Sequence, residues 1–261
     1  MGRSVETDGM RYEIKGDTTP ILEVALAPGD EVIAESGELA WMHGPVQLKT
    51  GKGIGQSKGG FMGAAKRALA GGTFFMTSYT VQEGSGAVTF AAKAPGEIRE
   101  VQLGDGSEYV VHRHGFICCE PGVELNVHLQ QKLGAGIFGG AGFILQRLSG
   151  RGTAFVEMHG DVVECELAPG DLLRVHPGHV AMFDHAVSLE LTTVPGIRNK
   201  LFAGDGLFLA ALRGPGKVWL QSITLPALAH ALQPYIVTET AAEGGALAGA
   251  AGILGTLARN T

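Results

Sequence analysis

The segment PGVELNVHL, residues 121–129, combines a tight turn with a half-buried strand. Proline fixes φ at the first central position of a turn, and glycine accepts a positive φ at the second. Behind this turn, Val123, Leu125, Val127 and Leu129 alternate with polar residues. An apolar residue at every second position is typical of a strand with one face in the core.

Further proline–glycine pairs punctuate the rest of the chain in the same way. They lie at positions 28–29, 95–96, 169–170, 177–178, 195–196 and 215–216. Short strands separated by such turns predict an all-β fold of the sandwich or barrel class. Helical patterns are few, and we expect short helices only near residues 61–70 and 225–233.

Internal repeats indicate a tandem architecture. The sequence LAPGD at Leu26–Asp30 recurs verbatim at Leu167–Asp171. A longer pattern recurs at one constant offset and matches Gly140, Gly142, Leu145, Leu148, Gly150 and Gly152 to Gly204, Gly206, Leu209, Leu212, Gly214 and Gly216. A weaker third copy is Gly72–Phe75, which resembles Gly152–Phe155. We therefore predict three copies of one small β unit, none of which could bury its apolar face alone.

The predicted β domain covers residues 10–232. Its three units are expected at about residues 10–115, 116–195 and 196–232. Residues 1–9 would form an N-terminal extension, and residues 233–261 a tail rich in glycine and alanine.

The composition argues against several classes of protein. The net charge is −6, and the 20 Lys and Arg residues are scattered along the chain, so nucleic-acid binding is not expected. Three cysteines cannot build a disulfide framework. The first residues lack the apolar run of a signal peptide, and no stretch has the roughly 20 apolar residues of a membrane span. We therefore expect a cytoplasmic protein.

Four residues form a candidate metal site. His112 and His114 would share one strand face, Glu120 follows them, and His179 comes directly after a proline–glycine pair. This arrangement resembles the two metal-binding motifs of cupins, and these residue types bind divalent ions. The match is incomplete, because five residues separate His114 from Glu120 where cupins use three or four. A shift of one residue turns a side chain to the other face of a strand. We therefore favour surface or interface histidines, with a metal site at His112, His114 and Glu120 or His179 as the alternative.

Catalytic motifs are not evident in the sequence. The glycine-rich run at 51–58 matches neither the Walker pattern nor the dinucleotide-binding fingerprint, and there is no H-E-x-x-H zinc motif. Glu164 and Glu166 alternate with apolar residues and fit the solvated face of a strand. We expect no catalytic residues, no cofactor and no enzymatic activity.

The chain resembles the "altered inheritance of mitochondria" biogenesis family from about Met10 to Leu232. The matching motifs are YEIKG (12–16), LAPGDEVIAESGELAWM (26–42), KRALAGGTFFMTSYT (66–80), FGGAGFILQRLSGRG (138–152), ECELAPGDLLRVHPGHVAMF (164–183) and GDGLFLAALRGPGKVWLQS (204–222). The resemblance implies a fold similar to the tryptophan RNA-binding attenuation protein, in which a small double-stranded β-helix unit is repeated in tandem and assembled into trimers. It also implies a link to membrane organisation, since the fungal member supports mitochondrial inner-membrane architecture. The bacterial members have no established reaction.

These observations predict a non-catalytic scaffold or binding protein that acts as a homotrimer. A closed ring would cover open sheet edges, and apolar strands such as Gly115–Cys119 and Lys217–Leu220 carry little charge to protect such edges. An alternative is a membrane-surface adaptor, in which Phe61–Ala70 forms a short basic amphipathic helix and makes peripheral membrane contact together with the tail. The sequence names no protein partner and gives the loop at 51–72 no role.

Overall fold

The computed structural model describes residues 3–6, 10–52, 75–131, 143–193 and 208–236. This part of the chain is built mostly from antiparallel strands, which confirms the predicted all-β class. The strands are β1 (Arg3–Glu6), β2 (Arg11–Lys15), β3 (Ile21–Leu26), β4 (Glu31–Glu35), β5 (Leu39–His43), β6 (Val46–Lys52), β7 (Phe75–Val81), β8 (Gly86–Ala91), β9 (Gly96–Leu103), β10 (Tyr109–His112), β11 (Phe116–Cys119), β12 (Val123–Gln131), β13 (Phe143–Gly150), β14 (Gly152–His159), β15 (Val162–Leu167), β16 (Leu172–Val175), β17 (Val180–Asp184), β18 (Ser188–Thr193), β19 (Phe208–Arg213) and β20 (Gly216–Gln221).

The strands form four sheets, numbered here in the order in which they pack. Their strand orders are β1-β2-β3-β8-β5 in sheet 1, β6-β7-β4-β11-β14-β9 in sheet 2, β12-β13-β10-β17-β20-β15 in sheet 3 and β16-β19-β18 in sheet 4. The segment expected to be an N-terminal extension contributes β1, which pairs with β2 at one edge of sheet 1.

Among the described residues, three apolar cores lie between successive sheets. Leu22, Phe90 and Phe155 belong to the core between sheets 1 and 2. A second core joins sheets 2 and 3, and a third joins sheets 3 and 4. Sheets 2 and 3 are therefore buried on both faces, since Ile33 of β4 lies in the second core while its neighbour Ala34 lies in the first. This explains continuous apolar runs such as β11, in which all four residues are buried.

The two LAPGD sequences form the same turn. In each copy the glycine has φ near +93°, at Gly29 and at Gly170. Asp30 Oδ2 accepts a hydrogen bond from the Ala27 amide at 2.8 Å, and Asp171 accepts one from Ala168 at the same distance. Identical sequence thus gives identical local geometry, as expected for a turn whose second central residue needs a positive φ.

Gly29→Ala should lower the free energy of unfolding by about 1 kcal/mol, because an L-residue with a Cβ is strained at this φ. A Cβ at Gly29 would meet no atom within 4 Å, so the effect isolates backbone strain from crowding. Urea midpoints measure the change. Gly29→Asn is the matched control and should lose less, since asparagine tolerates positive φ. Equal stability of wild type and Gly29→Ala would contradict the assigned turn geometry.

The apolar strands that we expected to need covering lie inside sheets. Gly115–Cys119 includes β11, which pairs with both β4 and β14, and β20 pairs with both β15 and β17. The cysteines Cys118 and Cys119 are buried and free, in agreement with a role as small core residues. The sheet edges that matter for assembly are elsewhere, as described below.

The predicted C-terminal helix is confirmed as α1 (Leu225–Leu232), followed by a 3-10 turn at Gln233–Tyr235. None of the α1 residues is buried. In the described ranges, none of the helices has the length and apolar character needed to cross a membrane. The predicted helix at 61–70, most of the loop at 51–72 and the tail beyond residue 236 lie outside the described residues.

Candidate functional site

The four candidate metal ligands lie on different elements, and two of them, Glu120 and His179, are held by separate contacts. His112 ends β10, and His114 lies in the turn that leads to β11. Glu120 accepts a hydrogen bond from the Thr153 amide at 2.6 Å, where β14 begins. His179 lies in a 3-10 turn (Pro177–His179), and its Nδ1 lies 2.8 Å from the carbonyl oxygen of Gln221.

The structure therefore does not assemble the alternative metal site at His112, His114 and Glu120 or His179. In the part of the chain that the structure describes, no group of three or more His, Cys, Asp or Glu residues is placed to hold a metal ion. The physical reason lies in the local contacts, since Glu120 anchors the start of β14 and the His179 ring contacts the backbone carbonyl of the last residue of β20.

A different polar group is buried at one end of β14. Glu157 has a side chain only 1% exposed, and it forms a salt bridge with Lys93 at 2.7 Å. Its other oxygen accepts the Lys93 backbone amide at 2.9 Å and lies 3.5 Å from His159 Nε2. Lys93 also reaches Glu38 at 2.7 Å. We call Glu157, His159, His112, Lys93 and Glu38 the Glu157 cluster.

Strand alternation positions the acidic and imidazole groups of this cluster. Along β14, Ala154, Val156 and Met158 enter the core between sheets 2 and 3. Glu157 and His159 alternate with them and so share a face with Phe155, which lies in the core between sheets 1 and 2. A carboxylate and an imidazole two residues apart in an otherwise apolar strand, GTAFVEMH, were the signal that could have identified this site from the sequence.

The charges of the cluster are fixed by their partners. Burial alone would raise the pKa of Glu157, but hydrogen bonds and charge from His159 and Lys93 outweigh burial and lower this pKa to about 2. Burial works against the charged form of Lys93, yet Glu157 and Glu38 raise its pKa above the ordinary value. The pKa of Glu38 is raised, chiefly by burial. Glu157 and Lys93 thus form a permanently charged, internally satisfied pair at neutral pH.

His112 completes the cluster through its ring. It packs edge to face against His159, with ring centroids 5.4 Å apart. Burial, followed by the proximity of His159 and His114, lowers the pKa of His112 to about 3, so the ring is neutral at pH 7. Its Nε2 is enclosed and has no hydrogen-bond partner among the described residues. A Cβ on Gly115 would come within 3.0 Å of that nitrogen, so the glycine makes room for the ring.

The chemistry of the cluster favours a structural role. A general base needs a pKa near the working pH and access to substrate, whereas Glu157 stays ionised, buried and paired. Burial raises the pKa of the Cys118 thiol, which disfavours the nucleophilic thiolate. The cluster joins the β4–β5 turn, the segment after β8 and β14, and it therefore holds sheets 1 and 2 together.

Among the surface clefts formed by the described residues, two lie near the core between sheets 1 and 2. The larger, about 550 Å³, is lined by β2 and the start of β9. Tyr12 donates a hydrogen bond to Glu100 there, and burial raises the pKa of its hydroxyl. Arg99 is paired with Glu97 at 2.8 Å and with Glu164. The smaller cleft, about 300 Å³, contains Asp30 and Glu120, which are engaged in the hydrogen bonds described above.

A second histidine group lies on the surface of sheet 3. Arg147 and Glu108 form a salt bridge at 2.7 Å, and His185 Nδ1 lies 3.7 Å from the same carboxylate. His128 packs edge to face against His185 at 5.6 Å. Burial, His185 and Arg147 together lower the pKa of His128. The His112 ring, which we expected at a surface or interface, has an enclosed Nε2 instead.

Comparison with known proteins gives consistent matches over most of the chain. A family model described as "Mitochondrial biogenesis AIM24" matches residues 12–223. An uncharacterized protein of Streptococcus pyogenes serotype M6 is 25% identical over 236 residues, which cover 88% of this chain and 93% of that protein. An X-ray crystal structure of a Streptococcus pyogenes protein superimposes with a TM-score of 0.68 at 22% identity, covering 87% of this chain and 100% of that one. The likeness to the crystal structure concerns the fold alone.

Proposed function

Because the chain belongs to the mitochondrial biogenesis AIM24 family, as its motifs predicted, we propose that it is a non-catalytic scaffold that acts as a homo-oligomer. The observation that carries this proposal is a strand-pairing scheme that recurs three times along the chain. A protein built from serially joined units has the architecture to extend the same joints to further copies.

Each proposed unit contains six strands: β3–β8 in unit 1, β9–β14 in unit 2 and β15–β20 in unit 3. In every unit the first strand pairs with the sixth, the second with the fifth, the third with the sixth and the fourth with the fifth. The pairs that support this scheme are β3·β8, β4·β7, β5·β8 and β6·β7, then β9·β14, β10·β13, β11·β14 and β12·β13, and finally β15·β20, β16·β19, β17·β20 and β18·β19.

The register supports the same equivalence at single-residue level. The last residue of the first strand is a buried leucine, and the residue opposite is the glycine that begins the sixth strand. These pairs are Leu26 with Gly86, Leu103 with Gly152 and Leu167 with Gly216. A Cβ on any of the three glycines would come within 2.8 Å of a neighbouring side chain, so each position favours glycine for the same packing reason.

The unit limits that this scheme favours are 21–91, 96–159 and 162–221. They differ from the limits expected from sequence because strand pairing, and not spacing, defines them. The third copy of the glycine motif then falls at Gly86, which opens β8, whereas Gly72 precedes β7. The double-stranded β-helix unit and its attenuation-protein-like assembly remain part of this proposal.

The Glu157 cluster fits a scaffold because it bridges units. Glu38 belongs to unit 1, Lys93 to the connection between units 1 and 2, and Glu157 and His159 to unit 2. A buried ion pair of this kind specifies one arrangement of its elements, since breaking it would leave a charge without its partner. The cluster thus supports a fixed joint between units.

Light scattering after size exclusion tests the proposed assembly. We expect a homotrimer of about 81 kDa, three times the chain mass of 27.1 kDa, that persists at micromolar concentration. Elemental analysis of the same peak should find no stoichiometric zinc, iron, manganese or nickel. A monodisperse 27 kDa species would overturn the scaffold proposal. One metal ion per chain, lost in a His112→Ala, His114→Ala double variant, would instead favour a metalloprotein.

A further inference from the structure

The two joints between the proposed units follow one rule. In the first, β4 pairs antiparallel with β11, so the second strand of unit 1 meets the third strand of unit 2. In the second, β10 pairs with β17, so the second strand of unit 2 meets the third strand of unit 3. Each joint completes a six-stranded sheet from two half-sheets of three strands.

At each end of the series of units, the same rule leaves one strand that has no strand of another unit to pair with among the described residues. The second strand of unit 3 is β16, which ends sheet 4 and pairs only with β19 among the described strands. The third strand of unit 1 is β5, which ends sheet 1 and pairs only with β8 among them. Sheets 1 and 4 share none of the three cores, because sheets 2 and 3 lie between them.

β5 has the geometry of the strands that already form joints. All three third strands carry a β-bulge at the same place, between Leu39 and Trp41, between Phe116 and Cys118, and between Val180 and Met182. A bulge changes the twist of a strand and the direction of its side chains. Because it recurs at the same position, the three strands share one edge geometry.

Exposure distinguishes β5 from its counterparts. The two residues after the bulge are fully buried in the other units, at Cys118 and Cys119 and at Met182 and Phe183, where exposure is at most 2%. In β5 the corresponding residues are Trp41, 50% exposed, and Met42, 44% exposed. Consecutive strand residues face opposite sides of a sheet, so β5 exposes a large apolar side chain on each side, as is typical of an edge strand that another chain covers.

We infer that β5 of one copy pairs antiparallel with β16 of a second copy, so that sheet 4, with three strands, and sheet 1, with five, join into one eight-stranded sheet across the protomer interface. This inference rests on the proposed homo-oligomeric function and names its interface. The occupant is a second copy because β16 is the only second strand, among the described strands, that lacks a third-strand partner.

The internal joints also fix the register. Ile33 is opposite Cys119, and Val110 is opposite Phe183. Met42 takes the place of Cys119 and Phe183, because it follows the bulge by the same number of residues. Arg174 takes the place of Ile33, because both lie three residues after the aspartate of an LAPGD turn. Met42 should therefore lie opposite Arg174 of the neighbouring copy, with Trp41 opposite Val175.

Disulfide trapping tests this register in the full chain. Directly opposed residues of an antiparallel pair have Cα atoms about 4.5 to 5.5 Å apart, which suits a disulfide. A Met42→Cys, Arg174→Cys variant should form dimer and trimer bands on non-reducing gels that revert with reductant. The matched control is Met42→Cys with Leu173→Cys, shifted by one residue and therefore facing the other side. Each single variant controls for pairing with Cys165, the partly exposed native thiol.

A charge variant tests the interface without a cross-link. Trp41→Arg should convert the assembly to a 27 kDa species at micromolar concentration, while Val163→Arg should leave its mass unchanged. Val163 is 57% exposed, so the two changes are matched in exposure. A wild-type chain that runs as a monomer would overturn the assembly itself. An oligomer that neither cross-links at 42–174 nor dissociates with Trp41→Arg would overturn this interface alone, as would a 42–174 disulfide formed within one chain.

Discussion

Replacing Glu157 by alanine is expected to lower the free energy of unfolding by about 3 kcal/mol. The carboxylate is almost fully enclosed, accepts hydrogen bonds from both the ammonium and the amide of Lys93, and lies 3.5 Å from His159. Removing one partner of a buried ion pair leaves the other charge desolvated, and measured effects of this kind are about 3 to 5 kcal/mol. We take the lower limit because Lys93 keeps Glu38 and is 32% exposed.

Chemical denaturation of wild type and variant measures this loss, with an unchanged dependence on denaturant as evidence that the fold is retained. Glu164→Ala is the matched control. Glu164 also pairs with a cation, Arg99, but its side chain is 49% exposed, and exposed pairs contribute less than about 1 kcal/mol. If the two variants lose the same stability, burial does not govern the strength of these pairs and the Glu157 cluster is not a structural joint.

Local chemistry explains which parts of the fold could be predicted. The LAPGD turns, the alternation in β12 and the helix at Leu225–Leu232 depend on neighbouring residues, and all three have the predicted conformation. Not every proline–glycine pair makes the same turn, since Gly122 and Gly178 are not among the residues with positive φ. There the surrounding strand and 3-10 turn determine the backbone.

Strand pairing could not be predicted in the same way, because it joins residues far apart in the chain. Spacing placed a third copy of the glycine motif at Gly72, while the pairing of Leu26 with Gly86 favours the latter position. The bulges in β5, β11 and β17 carry no shared residue type and became visible only through their registers. Those bulges and registers locate the exposed edge at Trp41.

The polar site was likewise only partly predictable from the sequence. The sequence drew attention to His112 through its spacing from His114 and Glu120, and His112 does lie in a polar cluster. Its ring, however, packs against His159, which with Glu157 lies on β14 in the neighbouring sheet 2. Glu157 lies in a strand whose neighbouring residues are mostly apolar and buried. Its partner Lys93 is in a turn far away in sequence. Only the folded chain brings them together.

The stability of the protein should fall as the pH drops below about 6.5, and His112 should account for part of that fall. The pKa of His112 is about 6.5 in an unconstrained chain and about 3 in the folded protein, lowered by burial and by nearby histidines. Between these values the unfolded chain binds a proton that the folded protein does not, so stability rises with pH across this window and is lost as pH falls through it. Glu157 adds a second loss at lower pH, between about 4.5 and about 2.

Between pH 6.5 and 4.5 the two contributions separate, because Glu157 is largely ionised in both states over most of that range. One pKa unit corresponds to about 1.4 kcal/mol. Although Nε2 is enclosed, the residue as a whole is partly exposed, so the full shift would overstate the loss of stability. We therefore expect His112→Phe, which keeps an aromatic ring beside His159, to remove about 1 to 2 kcal/mol of the acid-induced loss in this range. Urea unfolding at pH 7.5, 6.5, 5.5 and 4.5 measures the slope, with the more exposed His185→Phe as control. Parallel profiles for wild type and His112→Phe would mean that His112 can take up a proton without cost in the folded protein, and that its ring is open to water.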